Sequence, residues 1–215
     1  MKHTLLLILL LAILFNSSCN SNSSSNNYST PDNGDLNETF TEKKELTPEE
    51  QYQQEKQKLI SDGWEESGIE NGLMPSCYNF TPKYDKSIDN YLEINVGGGT
   101  DVAIKLMNLN SEKCVRYVFV NSGSSYQIRN VPQGEYYLKI AYGKEWLSKI
   151  ESNQCIGKFI RNPLYEKGED KMDFSIQNTY DGYNVPSFRL SLDVVSTNLM
   201  NSFSSHNISE SDFNN

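Results

Sequence analysis

Histidine sets the first limit on what chemistry this chain can do. Two of its 215 residues are histidine, His3 and His206. One stands at the extreme start and the other in a polar end segment, so the stretch between them carries none. Ser-His-Asp and Cys-His nucleophile systems and His-containing zinc sites are excluded together. Carboxylates remain. Glu145, Glu151, Glu166, Glu169 and Asp170 lie in or near the segment from Tyr142 to Met172, and glycoside hydrolysis needs only two acids spaced across a sugar bond. Solvated loop charge is the plainer account of them, because a perturbed carboxylate requires a pocket. No Asp-x-Asp-x-Asp-Gly array offers calcium ligands. Gly97-Gly98-Gly99 is not followed by Gly-Lys-Ser/Thr, so it is no phosphate loop. The residues call for no metal and no cofactor.

Recognition is the second chemistry on offer. Tyr142, Trp146, Phe159, Arg161 and Tyr165 fall in the same Tyr142 to Met172 segment. Together they could form an aromatic platform with a bidentate donor, suited to a glycan or to an extended peptide of an envelope protein. In the competing account Trp146 and Phe159 cover one end of the fold. Among Cys77, Cys114 and Cys155 three pairings are open. Cys77 with Cys155 is favoured because both sit in irregular segments that gain from being tied, whereas Cys114 fits a strand register as a small apolar residue. Without Cys-x-x-Cys spacing these thiols make no metal site.

The elements that must position these residues follow from the hydrophobic period. Thr47-Pro48-Glu49-Glu50 reads as a helix start, with Thr47 as N-cap, Pro48 at the first helical position and Glu50 completing a capping box. The helix runs to about Asp62, where Gly63 ends it. Its stripe of Tyr52, Leu59 and Ile60 is thin, so it either lies on the fold or stands as a solvated stalk. Trp64 beyond it reads as a docking side chain. From Asn90 the period becomes two. Leu92, Ile94 and Val96 alternate, then Val102, Ile104 and Leu106 beyond the glycines. A turn at Asn108 to Lys113 leads into Cys114 to Val120, apolar on both faces as an interior strand would be. Tyr126 and Ile128 enter the Val131-Pro132-Gln133-Gly134 turn, and Tyr136, Leu138, Ile140 and Tyr142 leave it. Phe174 with Ile176, and Phe188, Leu190, Leu192 and Val194, supply two more. About seven short strands with no helical pattern among them predict an all-β antiparallel sandwich. The long Tyr142 to Met172 segment reads as a loop, and long loops in small domains carry function.

Ahead of the helix, Met1, Lys2 and His3 precede an apolar run from Leu5 to Phe15 and then Asn16-Ser17-Ser18-Cys19. The run is shorter than the roughly 20 apolar residues a membrane-spanning helix needs, and its pattern is that of an export signal. It resembles the signal of a bacterial lipoprotein, in which Cys19 becomes the acylated first residue of the mature chain. Asn16 stands where a lipobox usually has Leu, and cleavage by an ordinary signal peptidase is the alternative this leaves. Ser and Asn dominate Asn20 to Asn37, a composition that buries no core. The organisation expected is a signal over 1–18, a disordered tether over 19–46, a helix over 47–63, a sandwich over 64–196 and a disordered tail over 197–215. Asn20 lacks the Asp that resembles an inner-membrane retention signal. Placement in the cell envelope, in the outer membrane of a diderm cell, follows, with the leaflet open. The net charge of −9 becomes −10 once Lys2 leaves with the signal, which argues against nucleic acid and anionic head groups as direct partners.

The stretch YQIRNVPQGEYYLKI, Tyr126 to Ile140, resembles the strand–turn–strand signature of carboxypeptidase regulatory-like domains, the prealbumin-like sandwiches of exported bacterial proteins. That resemblance implies a non-catalytic accessory module. Related adhesin repeats carry a Lys–Asn isopeptide crosslink promoted by a buried Glu in the corresponding strand. Here that strand reads Tyr137-Leu138-Lys139-Ile140, without an acid. The chain as a whole is similar to exported lipoproteins of Bacteroidetes type, which implies location and no activity. The anchor is directly testable: Cys19→Ala should abolish palmitate labelling and release the protein from membranes, and unchanged membrane association would refute it.

Overall fold

In the computed structural model, which describes residues 45–195, 198–199 and 202–215, the signal, Cys19 and the tether up to residue 44 lie outside the described residues. The chain opens with α1 (Pro48–Ser61) and a two-residue β1 (Glu65–Glu66), then β2 (Tyr91–Val96), β3 (Asp101–Asn108), β4 (Cys114–Val120) and β5 (Ser125–Arg129). β6 (Glu135–Glu151) and β7 (Gln154–Gly168) are the two long strands. Short pieces follow: β8 (Met172–Asp173), β9 (Gln177–Thr179), β10 (Gly182–Asn184), β11 (Phe188–Leu192), β12 (Val194–Val195), β13 (Asn198–Leu199) and β14 (Ser205–Asn207), ending in α2 (Glu210–Asn214).

The all-β sandwich expected from the period-two pattern is present. Its larger sheet runs β14-β7-β6-β3-β4, with β1 and β8 pairing opposite ends of β6. The smaller runs β11-β2-β5. Every pairing is antiparallel except β11 with β2, which is parallel. Between the sheets lies the main core, where Leu92, Ile94, Ile128 and Leu192 meet Ile104, Leu106, Ile140 and Tyr142. Gly97-Gly98-Gly99 does join two strands, but it carries the chain from the smaller sheet into the larger and makes no hairpin.

The chain does reverse at the expected Val131–Gly134 position, as a bend at Gln133 and Gly134, and Asn90 clamps it. The Asn90 amide donates to Val131 O at 2.9 Å and its Oδ1 accepts from Val131 N at 2.7 Å, both out of water. The Tyr136 hydroxyl donates back to Pro132 O at 2.9 Å, so the tyrosine two residues after Gly134 closes the turn it follows.

β4 is apolar on both faces yet ends the hydrogen-bonded order, where an interior strand was expected. The irregular segment 67–85 explains it. Gly72 N donates to Phe119 O, Phe119 N to Leu73 O and Lys83 N to Val115 O, so this segment covers the open edge of β4 and protects it. Its Ile69, Met74, Tyr78 and Phe80 pack with Ala103, Tyr117, Phe119, Ala141, Trp146, Phe159 and Phe213 in a second core on the outer face of the larger sheet. The sheet is therefore covered on both faces.

Two further expectations are corrected. The Tyr142 to Met172 segment is not a loop: β6 and β7 form a long hairpin turning at Ser152 and Asn153, both at positive φ (50° and 64°), the geometry of a tight primed turn. A bulge between Tyr142 and Lys144, with Glu145 at φ 58°, hides it, because one extra residue reverses which parity faces inward. Tyr142 lies in the inner core and Trp146 in the outer one. Nor is the end of the chain a loose tail. β14 pairs with β7, Ser209 caps α2 through a capping box with Asp212, and Phe213 is fully buried. His206 thus belongs to the folded domain, paired with Glu169 at 3.2 Å.

The expected capping box of α1 is present, Glu50 N donating to Thr47 Oγ1 at 3.2 Å and Thr47 N to Glu50 Oε2 at 2.8 Å. No residue of the helix is buried. It lies on the hairpin through charge, with Lys56 bridging Glu66 and Glu145 at 2.9 Å each and the Arg161 guanidinium 4.2 Å from the Tyr52 ring. Trp64 is buried, with the Lys158 ammonium 4.6 Å over its ring. Phe213→Ala should cost about 3 kcal/mol by opening the outer core; chemical denaturation would measure it, and an unchanged midpoint would return residues 202–215 to the status of a tail.

Candidate functional site

The irregular segment 67–85 and the short C-terminal α2 cover the outer face of the larger sheet. The first is tied to the start of β7 by the disulfide Cys77–Cys155, which spans 78 residues with Cα atoms 5.5 Å apart, the pairing that the sequence favours. A bond closing so long a loop restricts the unfolded chain strongly. Cys114 remains a thiol in its strand, donating to Arg116 O at 3.2 Å.

Where the two covers meet beside this bridge there is a cavity of about 320 Å³. Asn79, Asn153, Gln154, Asn214 and Asn215 line it, with Tyr78 and Phe80. Asn214 is a fixed wall: its Oδ1 accepts from Tyr78 Oη at 3.2 Å and Gly157 N at 3.0 Å, and its amide donates to Glu210 O. Asn79, Asn153 and Gln154 are exposed, and their side chains hydrogen-bond to no other described residue. Each carboxamide offers one acceptor and two donors, all uncharged. No Asp, Glu, Lys, Arg or His side chain lines the cavity. Such a lining hydrogen-bonds hydroxyls and amides and stacks on apolar ring faces.

Below the cavity Lys105 is 5% exposed. Its Nζ donates to Phe213 O at 2.7 Å and Asn214 O at 3.1 Å, and the rings of Tyr78, Tyr117 and Phe213 stand 5.6, 5.5 and 4.8 Å away. Carbonyls and ring faces, with no carboxylate, hold this ammonium. Burial pulls its pKa down from 10.5 to about 8, the neighbouring Cys114 opposing and Lys139 adding to the shift. Burial also pushes the Cys114 thiol up to about 11.

The residues singled out in the sequence are dispersed, and no aromatic platform forms. Tyr142 is wholly buried in the inner core, donating to Glu166 Oε2 at 2.7 Å. Trp146 and Phe159 meet edge to face at 4.8 Å in the outer core. There Gly157 admits the indole, since a Cβ at that position would collide with the Trp146 ring. Tyr165 packs on Phe213 at 5.8 Å, its hydroxyl donating to Glu210 at 3.3 Å. Arg161 pairs with Glu145 at 3.1 Å and Glu49 at 3.4 Å under α1. The bulge and the outer cover are the physical reason: a hairpin with both faces packed leaves its aromatics nothing to bind but the core.

The acids weighed for hydrolysis each have partners of their own. Glu145 takes Lys56 and Arg161, Glu151 takes Lys149, Glu166 accepts from Tyr142 and Ser205, Glu169 takes His206, and Asp170 accepts from Ser204 N. Among the described residues no group of three or more His, Cys, Asp or Glu side chains is placed to hold a metal ion, and no helix is long and apolar enough to cross a membrane. Tyr180 and Tyr183, which the sequence reading passed over, stand in solvent on the β9–β10 hairpin. The cavity residues were passed over as well, though Cys77 and Cys155 flank three of them and a pairing of those two cysteines brings Asn79 beside Gln154.

Comparison of the chain with protein-family models, curated proteins and solved structures finds no match.

Because Lys105 loses its proton near pH 8 in the fold but near 10.5 when unfolded, the unfolded chain binds more protons between those values. Stability from this group therefore rises with pH through that window and is flat below it. Cys114 acts in the opposite sense between 9 and about 11, so pH 7 to 9 isolates the lysine. Over that range wild type should gain about 1 kcal/mol relative to Lys105→Met, read from urea unfolding at each pH. Parallel curves would show that the ammonium is not desolvated.

Proposed function

We propose that this protein is an exported cell-envelope lipoprotein whose sandwich is a non-catalytic binding module, and that its ligand is a glycan seated in the carboxamide cavity. One observation carries the ligand class: a cavity rich in neutral donors and acceptors, with two aromatic residues and no side chain charged at neutral pH. Sugars present many hydroxyls and apolar ring faces with no fixed charge, and carboxamides with ring platforms complement both. The disulfide supports this, since it fixes Asn79 and Gln154 from remote parts of the chain against each other before any ligand arrives, and preorganisation lowers the entropy cost of binding.

Export and anchoring rest on the apolar run Leu5 to Phe15 and on Cys19, and outer-membrane placement on Asn20. A disulfide suits an oxidising compartment outside the cytoplasm. The likeness of Tyr126 to Ile140 to carboxypeptidase regulatory-like domains supports an accessory role. The hydrolase alternative gains nothing from acids that each have separate partners. Titrating the mature protein with envelope polysaccharides and peptidoglycan fragments should give saturable binding, weakened about tenfold in Asn79→Ala/Gln154→Ala by the loss of two neutral hydrogen bonds, with the unfolding midpoint unchanged because neither residue sits in the left-handed turn of the hairpin. Absence of binding across that panel, or equal affinity in the double variant, would overturn the proposal.

A further inference from the structure

In a chain with a net charge of −9, four basic residues stand in one row across four neighbouring strands. Lys105 on β3 opposes Lys139 on β6, Lys139 opposes Lys167 on β7, and Lys167 opposes His206 on β14. Directly paired residues of antiparallel strands project from the same face, so the row is a single stripe on the outer face, and like charges so opposed destabilise a sheet. The fold neutralises only part of it. Lys105 is held by the α2 carbonyls, and His206 contacts Glu169. Lys139 Nζ donates to the backbone oxygen of Asp212 at 2.6 Å, and Lys167 Nζ lies 4.7 Å over the Tyr137 ring. Neither makes an ion pair with any described carboxylate.

These two ammonium groups and His206 open onto a second cavity of about 410 Å³. Two acids also border it. Asp212 spends its carboxylate on the Ser209 cap, at 2.7 Å from the hydroxyl and 3.2 Å from the backbone N. Glu112 stands on the β3–β4 turn and makes no ion pair with either lysine, though its charge acts on Lys139 from a distance, as does that of Asp212. Asn215 borders this cavity and the carboxamide cavity alike, so the two adjoin.

We infer that the Lys139–Lys167–His206 cavity is an anion subsite, which takes one carboxylate, sulfate or phosphate group carried by the ligand of the adjoining carboxamide cavity. The identity of the carrier rests on the glycan reading, while the anion site stands on the cation row by itself. Two ammonium groups held side by side on a rigid sheet, each without an ion pair of its own, gain one from an oxyanion bridging them, through charge-assisted hydrogen bonds stronger than neutral ones. A neutral partner would leave their repulsion in place.

Inorganic phosphate, titrated calorimetrically into the mature protein at constant ionic strength set with chloride, tests the subsite directly. Saturable binding is expected, at least tenfold weaker in Lys167→Gln and severalfold tighter in Glu112→Gln, which removes a competing negative charge. Circular dichroism in chloride alone checks that both variants are folded; should Lys167→Gln fail to fold, the gain in Glu112→Gln decides. No saturable binding by wild type, or phosphate affinities unaltered in both variants, would overturn the subsite. A second arm compares a uronate-bearing oligosaccharide with its neutral counterpart, and wild type should prefer the acid while Lys167→Gln loses that preference. Phosphate binding with no response to either sugar would leave the subsite standing and remove the glycan reading. Equal binding of both sugars without phosphate binding would do the reverse.

Discussion

A sheet with apolar side chains on both faces has to be covered twice, and this requirement shapes the rest of the molecule. β3 is buried along its middle on both sides, Ile104 and Leu106 facing the smaller sheet and Ala103 facing the outer core. The inner cover is regular, since three strands with alternating residues present one apolar face. The outer cover has no such element. It is assembled from segment 67–85 and the C-terminal α2, two pieces with few apolar residues, pinned by a disulfide, a backbone ladder along β4 and the side chain of Phe213. Regular layers pack without gaps of useful size. An irregular cover leaves hollows at its seams, and the two cavities described above lie where the cover is pieced together.

Lys105 shows the same constraint in electrostatic form. A cation directly beneath the cover must be satisfied without water, and a carboxylate brought alongside would have to be desolvated too. The two terminal carbonyls of α2 serve instead, at the end of a helix where unpaired oxygens concentrate negative potential. The lysine thereby gives those carbonyls the donor that the helix cannot, and three ring faces complete its shell. A charge that would be a liability in isolation becomes the peg on which the last residues hang.

How much of this was legible in the sequence divides by range. Local chemistry was legible: Thr47 and Glu50 announce their capping box, Cys114 to Val120 is a strand with those very bounds, and Pro132 with Gly134 marks a turn. The β6–β7 hairpin was not, because the bulge at Tyr142 reverses the alternation half way along β6 and the turn uses Ser152 and Asn153 with no glycine. The packed end was hidden for another reason. Phe203, Ile208 and Phe213 are the apolar residues of a polar run, too few to show a period, and the burial of Phe213 depends on residues as remote as Lys105 and Tyr117. The cavity draws its carboxamides from three separate stretches of chain, so only the cysteine pair hinted at it. The misplaced aromatics carry the plainest lesson: Trp146 and Phe159 were noticed for their size, and size is what the core used them for.

The parallel pairing of β11 with β2 has a consequence in time. Leu92 lies opposite Phe188 and Val96 opposite Leu192, while every strand of the larger sheet except β1 and β14 is made between them. A chain emerging from its N-terminus has β2 early but cannot complete that strand's second edge until nearly all the rest has been delivered, and closing so long a loop is slow relative to local pairing. Until then one side of β2 offers unpaired backbone groups of the kind that recruit foreign strands. The smaller sheet is begun early and finished near the end, which ties the order of assembly to the order of synthesis and makes the interval between them the most vulnerable part of this protein's life.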